Sequence, residues 1–165
     1  VIAIIVLGLL ALVAALLDPP PPPVSGTARA SDGDSFRLGD DRVRLLGLDA
    51  PELSQLCAAP DGGQWSCGRV ARDRMAALLA TGPVACRPED KDRYNRLLAR
   101  CTVAGNDLGA LMVAEGLAVS SGDYWQQEQA ARAGKRGIWA GGFDRPADWR
   151  DDHPRPQGIL GWLGL

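Results

Sequence analysis

A chain of 165 residues has room for one ordinary domain with a hydrophobic core, and a composition of 46% apolar and 23% charged residues excludes a disordered, collagen-like or mucin-like protein. The net charge of −2 denies the chain the basic excess usual among polyanion binders, so any hold on a nucleic acid has to come from local charge.

Residues 1–17 are apolar or glycine throughout, and as a helix at ~1.5 Å per residue they extend roughly 25 Å, the borderline of a bilayer span. A cleavable signal peptide and a signal anchor both fit. The anchor is preferred, because residues 18–25 follow at once with five prolines, Pro19 to Pro23, a stiff spacer able to lift a domain off a membrane. Export to the periplasmic or extracellular face is the expected consequence. Four cysteines then read as an even set in an oxidising compartment, and local order pairs Cys57 with Cys67 and Cys86 with Cys101. Zinc is not expected: no two cysteines have C-x-x-C spacing, and the one histidine, His153, lies in a Pro/Asp-rich tail.

From the linker onward, residues 26–31, 35–38 and 42–48 partly alternate apolar and polar and are separated by Gly/Asp steps, which predicts a three-stranded meander. Residues 66–80 place Ala71, Met75, Leu78 and Leu79 on one helical stripe, stopped by Thr81-Gly82-Pro83. Strands are expected at 84–87 and 97–103, and helices at 107–115, ended by Gly116, and at 125–136, closed by Gly137. Five short strands with about three interposed helices predict an α+β fold, mainly β: a five-stranded Greek-key barrel of the oligonucleotide-binding type over residues 26–150, with a tail at 151–165. Trp139, Phe143, Pro146 and Trp149 read as packing of the C-terminal segment onto that barrel.

Chemistry enters at the strand ends. Asp32-Gly33-Asp34 alone is an ordinary turn, and so is Asp49-Ala50-Pro51-Glu52. Arg44, on the strand that leads into the second cluster, adds a phosphate-binding guanidinium to cation-binding carboxylates. A second unit, Asp92-Arg93-Tyr94-Asn95-Arg96, opens another strand.

Together with Gly116-Leu-Ala and Arg136-Gly-Ile-Trp139, these ordered motifs resemble the staphylococcal nuclease (thermonuclease) family over roughly residues 26 to 140. The resemblance implies a calcium-dependent phosphodiesterase that cuts DNA or RNA to 3′-phosphorylated fragments. It implies Asp34, Asp49 and the main-chain carbonyl of Ala50 as calcium ligands, Glu52 as the general base, and Arg44 and Arg96 as phosphate ligands. Tyr94, with Arg93 beside it, falls where the terminal phosphate or sugar is contacted. A monomer with nucleic acid as substrate and a membrane reached only through the anchor is the expected set of partners.

The chain departs from the family pattern in three places. Asn95 stands where glycine is common, at a position Asn tolerates in left-handed turns. Ala50 replaces threonine, which leaves a main-chain ligand intact. Val119-Ser120-Ser121 replaces base-stacking tyrosines, and Tyr124 and Trp125 come only afterwards, so base stacking is expected to be weaker or supplied differently. The loop after Glu52 also lacks lysines, so slow, salt-sensitive association is expected. The competing reading is a non-catalytic exported module that kept the barrel for nucleic-acid binding or another interaction. Ordinary ion pairing of Arg44 and Arg96 with Asp34, Asp49 or Glu52 is the plain structural account of those two residues.

Overall fold

The computed structural model describes residues 3–9 and 21–154. Residues 3–9 are helical and exposed; the rest of the anchor expected over 1–17, most of the proline run and the tail from residue 155 onward lie outside the described residues. Among the described residues no helix is long and apolar enough to cross a membrane.

The barrel is built by a first strand that bends. Its halves, β1 (Val24–Gly26) and β2 (Ala28–Ala30), stand at opposite ends of the sheet order β1-β8-β9-β4-β3-β2, so the bend at Thr27 joins the two edges. The other walls are β3 (Ser35–Leu38), β4 (Asp41–Leu45), β8 (Val84–Lys91) and β9 (Leu97–Val103). All neighbours are antiparallel except β4 and β9, which run parallel. This is the expected α+β, OB-type barrel of five strands, counting the bent strand once.

Strict alternation fills the interior: Phe36 and Leu38 on β3, Val43 and Leu45 on β4, and Leu97 and Ala99 on β9 point inward and are buried. Helix α1 (Cys67–Leu79) closes one mouth with the stripe the periodicity predicts, since Ala71, Met75, Leu78 and Leu79 are its buried residues along with Cys67 and Gly68 at its start. Fully burying a side chain the size of Met75 or Phe36 is worth ~1.5–3 kcal/mol. Helix α2 (Leu108–Ala114) is capped by Asp107, whose carboxylate accepts from Ala110 N at 2.8 Å. Helix α3 (Trp125–Ala133) packs on α2, and a 3-10 turn at Gly137–Ala140 crosses Gly116 so closely that a Cβ on Gly137 would lie 2.1 Å from the Gly116 carbonyl oxygen. That crossing explains why both glycines stand in the motifs.

Several boundaries differ from the sequence reading. Val24 and Ser25, assigned to the linker, already pair with β8. The third strand does not run to Leu48: it breaks after Leu45, Gly47 takes φ 80°, and Leu48–Asp49 (β5) turns away to pair with Val119–Ser120 (β11). The fourth strand continues to Lys91, past a bulge between Pro88 and Asp90, and α3 stops at Ala133, three residues short of Arg136. Inside the cysteine-bounded loop lies a small hairpin, β6 (Cys57–Ala58) with β7 (Gln64–Trp65), and Asn106–Asp107 (β10) pairs back on β9. Helix α4 (Pro146–Asp152) occupies the end of the domain and the start of the segment read as tail.

Both disulfides are as expected, Cys57–Cys67 and Cys86–Cys101. The first belongs to a second apolar cluster with Val119 and Ile138, against which Trp139 and Phe143 pack edge to face with centroids 4.8 Å apart. Trp149 instead stacks on His153 at 4.3 Å, and Pro146 is fully buried.

Candidate active site

Two turns meet at the end of the barrel where β2 passes to β3 and β5 leaves β4. Asp32 shapes the first by accepting from Asp34 N at 3.1 Å, Ser35 N at 2.8 Å and Ser35 Oγ at 2.8 Å, which turns Asp34 inward. Asp34 Oδ2 then accepts from Ala50 N at 3.3 Å and from Arg44 Nη2 at 3.0 Å. The same Nη2 reaches Asp49 Oδ1 at 2.9 Å. One arginine nitrogen therefore joins two carboxylates from two different turns.

Asp34 is 4% exposed, and burial pushes its carboxyl up to about 8, more than the Arg44 guanidinium pulls it down; Asp32 and Asp49 add to the rise. Asp34, Asp49 and the Ala50 carbonyl are hard oxygen donors, the kind of donor set that suits a divalent cation such as calcium. Among the described residues no three or more His, Cys, Asp or Glu side chains cluster as a cage, so an ion held here would have to draw part of its shell from the main chain, water or substrate.

Glu52 is set by a clamp that the sequence does not signal. Its N–H donates to Gln55 Oε1 at 3.1 Å, while Gln55 Nε2 donates to the Asp144 carbonyl at 2.7 Å. Gln55 is completely buried, so one amide ties the Glu52 loop to the segment leading into α4. On the other side α1 presses against the same loop. A Cβ on Gly68 would sit 1.8 Å from the Glu52 carbonyl oxygen, so only glycine fits.

Through that clamp, α4 delivers a residue absent from the sequence reading. Arg150 forks onto Asp49, with Nη1 to Oδ1 at 3.0 Å and Nη2 to Oδ2 at 2.9 Å, and Nη1 also donates to Glu52 Oε1 at 3.1 Å. These hydrogen bonds to Asp49 and Glu52, offset in part by burial, raise the Arg150 pKa further above the arginine range. An arginine at the last position of the expected domain, outside any of the quoted motifs, carries no sequence signal of its own; only the fold of α4 reveals it.

The second arginine unit forms its own turn. Asp92 Oδ1 accepts from Tyr94 N and Arg96 N, both at 2.9 Å, and Oδ2 accepts from Arg96 Nε at 2.7 Å. Burial raises the Asp92 carboxyl, and hydrogen bonds from Arg96 and Tyr94 more than offset that, holding it below the usual carboxylate range. Asn95 takes φ 58°, the left-handed conformation expected of it. Tyr94 is exposed and lies under two guanidiniums, Arg93 at 4.8 Å and Arg96 at 5.6 Å from its ring centroid.

The structure therefore brings Asp34, Arg44, Asp49, Ala50 and Glu52 together and adds Arg150, while Arg93, Tyr94 and Arg96 form an adjoining turn in which Arg96 pairs with Asp92. Tyr124 is not a stacking residue: it is buried, with its hydroxyl donating to Asp107 at 3.0 Å. Burial first, then the Asp107 charge and hydrogen bond, push its hydroxyl up to about 12.

A family model described as staphylococcal nuclease homologue matches residues 42–141, which leaves Asp34 just before the match and Arg150 beyond it. Among curated proteins, the chain is 33% identical over 124 residues to the succinoglycan biosynthesis protein ExoI of Rhizobium meliloti (strain 1021), covering 71% of this chain and 65% of that protein. It thus spans just under two thirds of that relative. It is 32% identical over 129 residues to an uncharacterized endonuclease of Escherichia coli, covering 68% and 74% of the two chains. A probable staphylococcal-like nuclease, CAN3, of Oryza sativa subsp. japonica is 28% identical over 120 residues, 67% of this chain and 29% of that one.

Proposed function

Because the chain belongs to the staphylococcal nuclease homologue family, we propose that its acidic cleft hydrolyses phosphodiester bonds of DNA or RNA with calcium as cofactor, leaving 3′-phosphorylated ends. One observation carries the reading: buried Asp34 and Asp49 converge on a single Arg44 nitrogen, with Glu52 close enough to share Arg150 with Asp49.

Each residue then has a task its surroundings suit. Asp34, Asp49 and the Ala50 carbonyl would hold the cation, which would supply positive charge to a phosphate oxygen. Glu52, fixed at its main chain by Gln55, takes the proton of the attacking water as its oxygen bonds to phosphorus and the P–O5′ bond breaks, the departing 5′ oxygen taking a proton from solvent. Arg44 is anchored by Nη2 and turns its remaining N–H groups to the phosphate, where charge builds up in the transition state. Arg96, oriented by Asp92, serves the same phosphate from the neighbouring turn, and exposed Tyr94 with Arg93 meets the terminal phosphate or sugar. Two disulfides and no free cysteine among the described residues support work in an oxidising compartment, in keeping with export.

The test is incubation of the full, disulfide-bonded chain with single-stranded DNA and RNA in calcium, magnesium or chelator, with the product ends identified by mass spectrometry. Calcium-dependent cleavage to 3′-phosphates is expected. Equal cleavage in chelator would remove the metal from the account, and no cleavage under any condition would leave the barrel as a binding module.

A further inference from the structure

The outer face of the barrel carries like charges where a sheet ordinarily avoids them. In the strand register Arg29 lies opposite Arg37 and Arg37 opposite Arg42, so three arginines stand side by side on β2, β3 and β4. Directly opposed residues share a face, and the inward positions are taken by Phe36, Leu38, Val43 and Leu45, so all three arginines point outward and are exposed. At ~4.8 Å between strands the row is roughly 10 Å wide.

Opposed like charges destabilise a sheet, and in this acidic chain the cost is not relieved locally. Among the described residues Arg29 and Arg37 have no carboxylate within ion-pair distance, whereas Arg44, Arg96 and Arg100 all do. The row is also continuous with the cleft. Arg44 follows Arg42 by two residues on the same face of β4, and Arg42 donates to the Tyr94 carbonyl, which ties the row to the turn of Arg96.

We propose that Arg29, Arg37 and Arg42 form a track for the sugar–phosphate backbone of a nucleic-acid strand whose scissile phosphate lies in the cleft. The inference rests on the nuclease reading above and adds to it where the rest of the substrate runs. A linear polyanion is the occupant because it alone matches an exposed line of cations that leads into a phosphate site. The track also answers how a chain of net charge −2 holds a polyanion.

The experiment measures binding, in chelator, of a fluorescent 16-nucleotide single strand to the full chain across a salt series. Arg29→Ser with Arg37→Ser is compared with Arg69→Ser with Lys135→Ser, which removes the same charge from exposed positions off the row. The row variant is expected to bind about tenfold more weakly at low salt and to lose about 1.4 from the slope of log affinity against log salt, ~0.7 for each phosphate contact removed. The control pair should keep nearly the whole slope. Near-ultraviolet circular dichroism checks that both variants are folded. Equal weakening by the two pairs, or an unchanged row variant, would overturn the track while leaving the nuclease reading intact. Failure of the wild-type chain to bind any strand would overturn both.

Discussion

Arg150→Gln separates the cation site from the arginine that lies across it. Both oxygens of Asp49 accept from the Arg150 fork, at 3.0 and 2.9 Å, and Glu52 accepts from it at 3.1 Å. A cation that uses Asp49 must displace this guanidinium or share the carboxylate with it. Charge-assisted hydrogen bonds are worth ~1.5–3 kcal/mol each where they are shielded. The Arg150 side chain is 35% exposed while those of Asp49 and Glu52 are 12% and 18% exposed, so screening brings the whole contact to about 1.5 kcal/mol. Removing the competitor should tighten calcium binding about tenfold, at 1.4 kcal/mol per decade. In chelator the same change leaves Asp49 and Glu52 with fewer partners and should lower the melting temperature by about 3 °C. Titration calorimetry with calcium, and thermal melts in chelator and in calcium, read both effects. Unchanged or weaker calcium binding would refute the argument, because Arg150 would then not stand where the ion binds.

Further expectations follow from the same geometry. The Asp34 carboxyl titrates near 8 when folded against 3.8 as its ordinary value, so its protonated form stabilises the cation-free fold fully at low pH and that contribution is lost as pH rises towards 8. A cation takes the ionised form, so calcium affinity should climb to about pH 8, and binding at pH 7 should release about one proton, seen as a buffer-dependent heat; a heat independent of buffer would contradict it. Asp92→Asn should unfasten Arg96 and lower kcat/KM about tenfold without altering calcium affinity, as measured by steady-state cleavage beside calorimetry. Replacing Cys57 and Cys67 together by serine opens a short loop next to Gly68 and Gln55, and should cost about 2–3 kcal/mol in denaturant unfolding.

Much of this architecture is legible from local pattern. The inward alternation of Phe36, Leu38, Val43 and Leu45, and the stripe of Ala71, Met75, Leu78 and Leu79, are properties of consecutive residues, so they survive without knowledge of partners. Asn95 and the cysteine pairs are equally local. What escaped depends on distant neighbours. The break after Leu45 follows from the pairing of Leu48–Asp49 with Val119–Ser120, which nothing near Gly47 announces. Gln55 is an uncharged residue whose role exists only because Asp144 comes to lie against it. Arg150 lacks any motif, and the row of Arg29, Arg37 and Arg42 emerges only once the strand register is known. The ion-pair account holds for Arg44, which pairs with Asp34 and Asp49, but not for Arg96, whose partner is Asp92 of its own turn and not Asp34, Asp49 or Glu52. For Arg44 the pairing partners are the carboxylates proposed to hold the cation, so the bland and functional accounts describe one arrangement.

The most direct trial of the central claim compares wild type with Glu52→Gln in calcium at saturating enzyme, following a single turnover of a labelled strand. The account predicts a loss of about a hundredfold to ten-thousandfold in the cleavage rate, the contribution of a positioned proton acceptor, with strand and calcium affinities held within a few fold. Cleavage by Glu52→Gln at close to the wild-type rate would contradict it, because the base would then have to be another group.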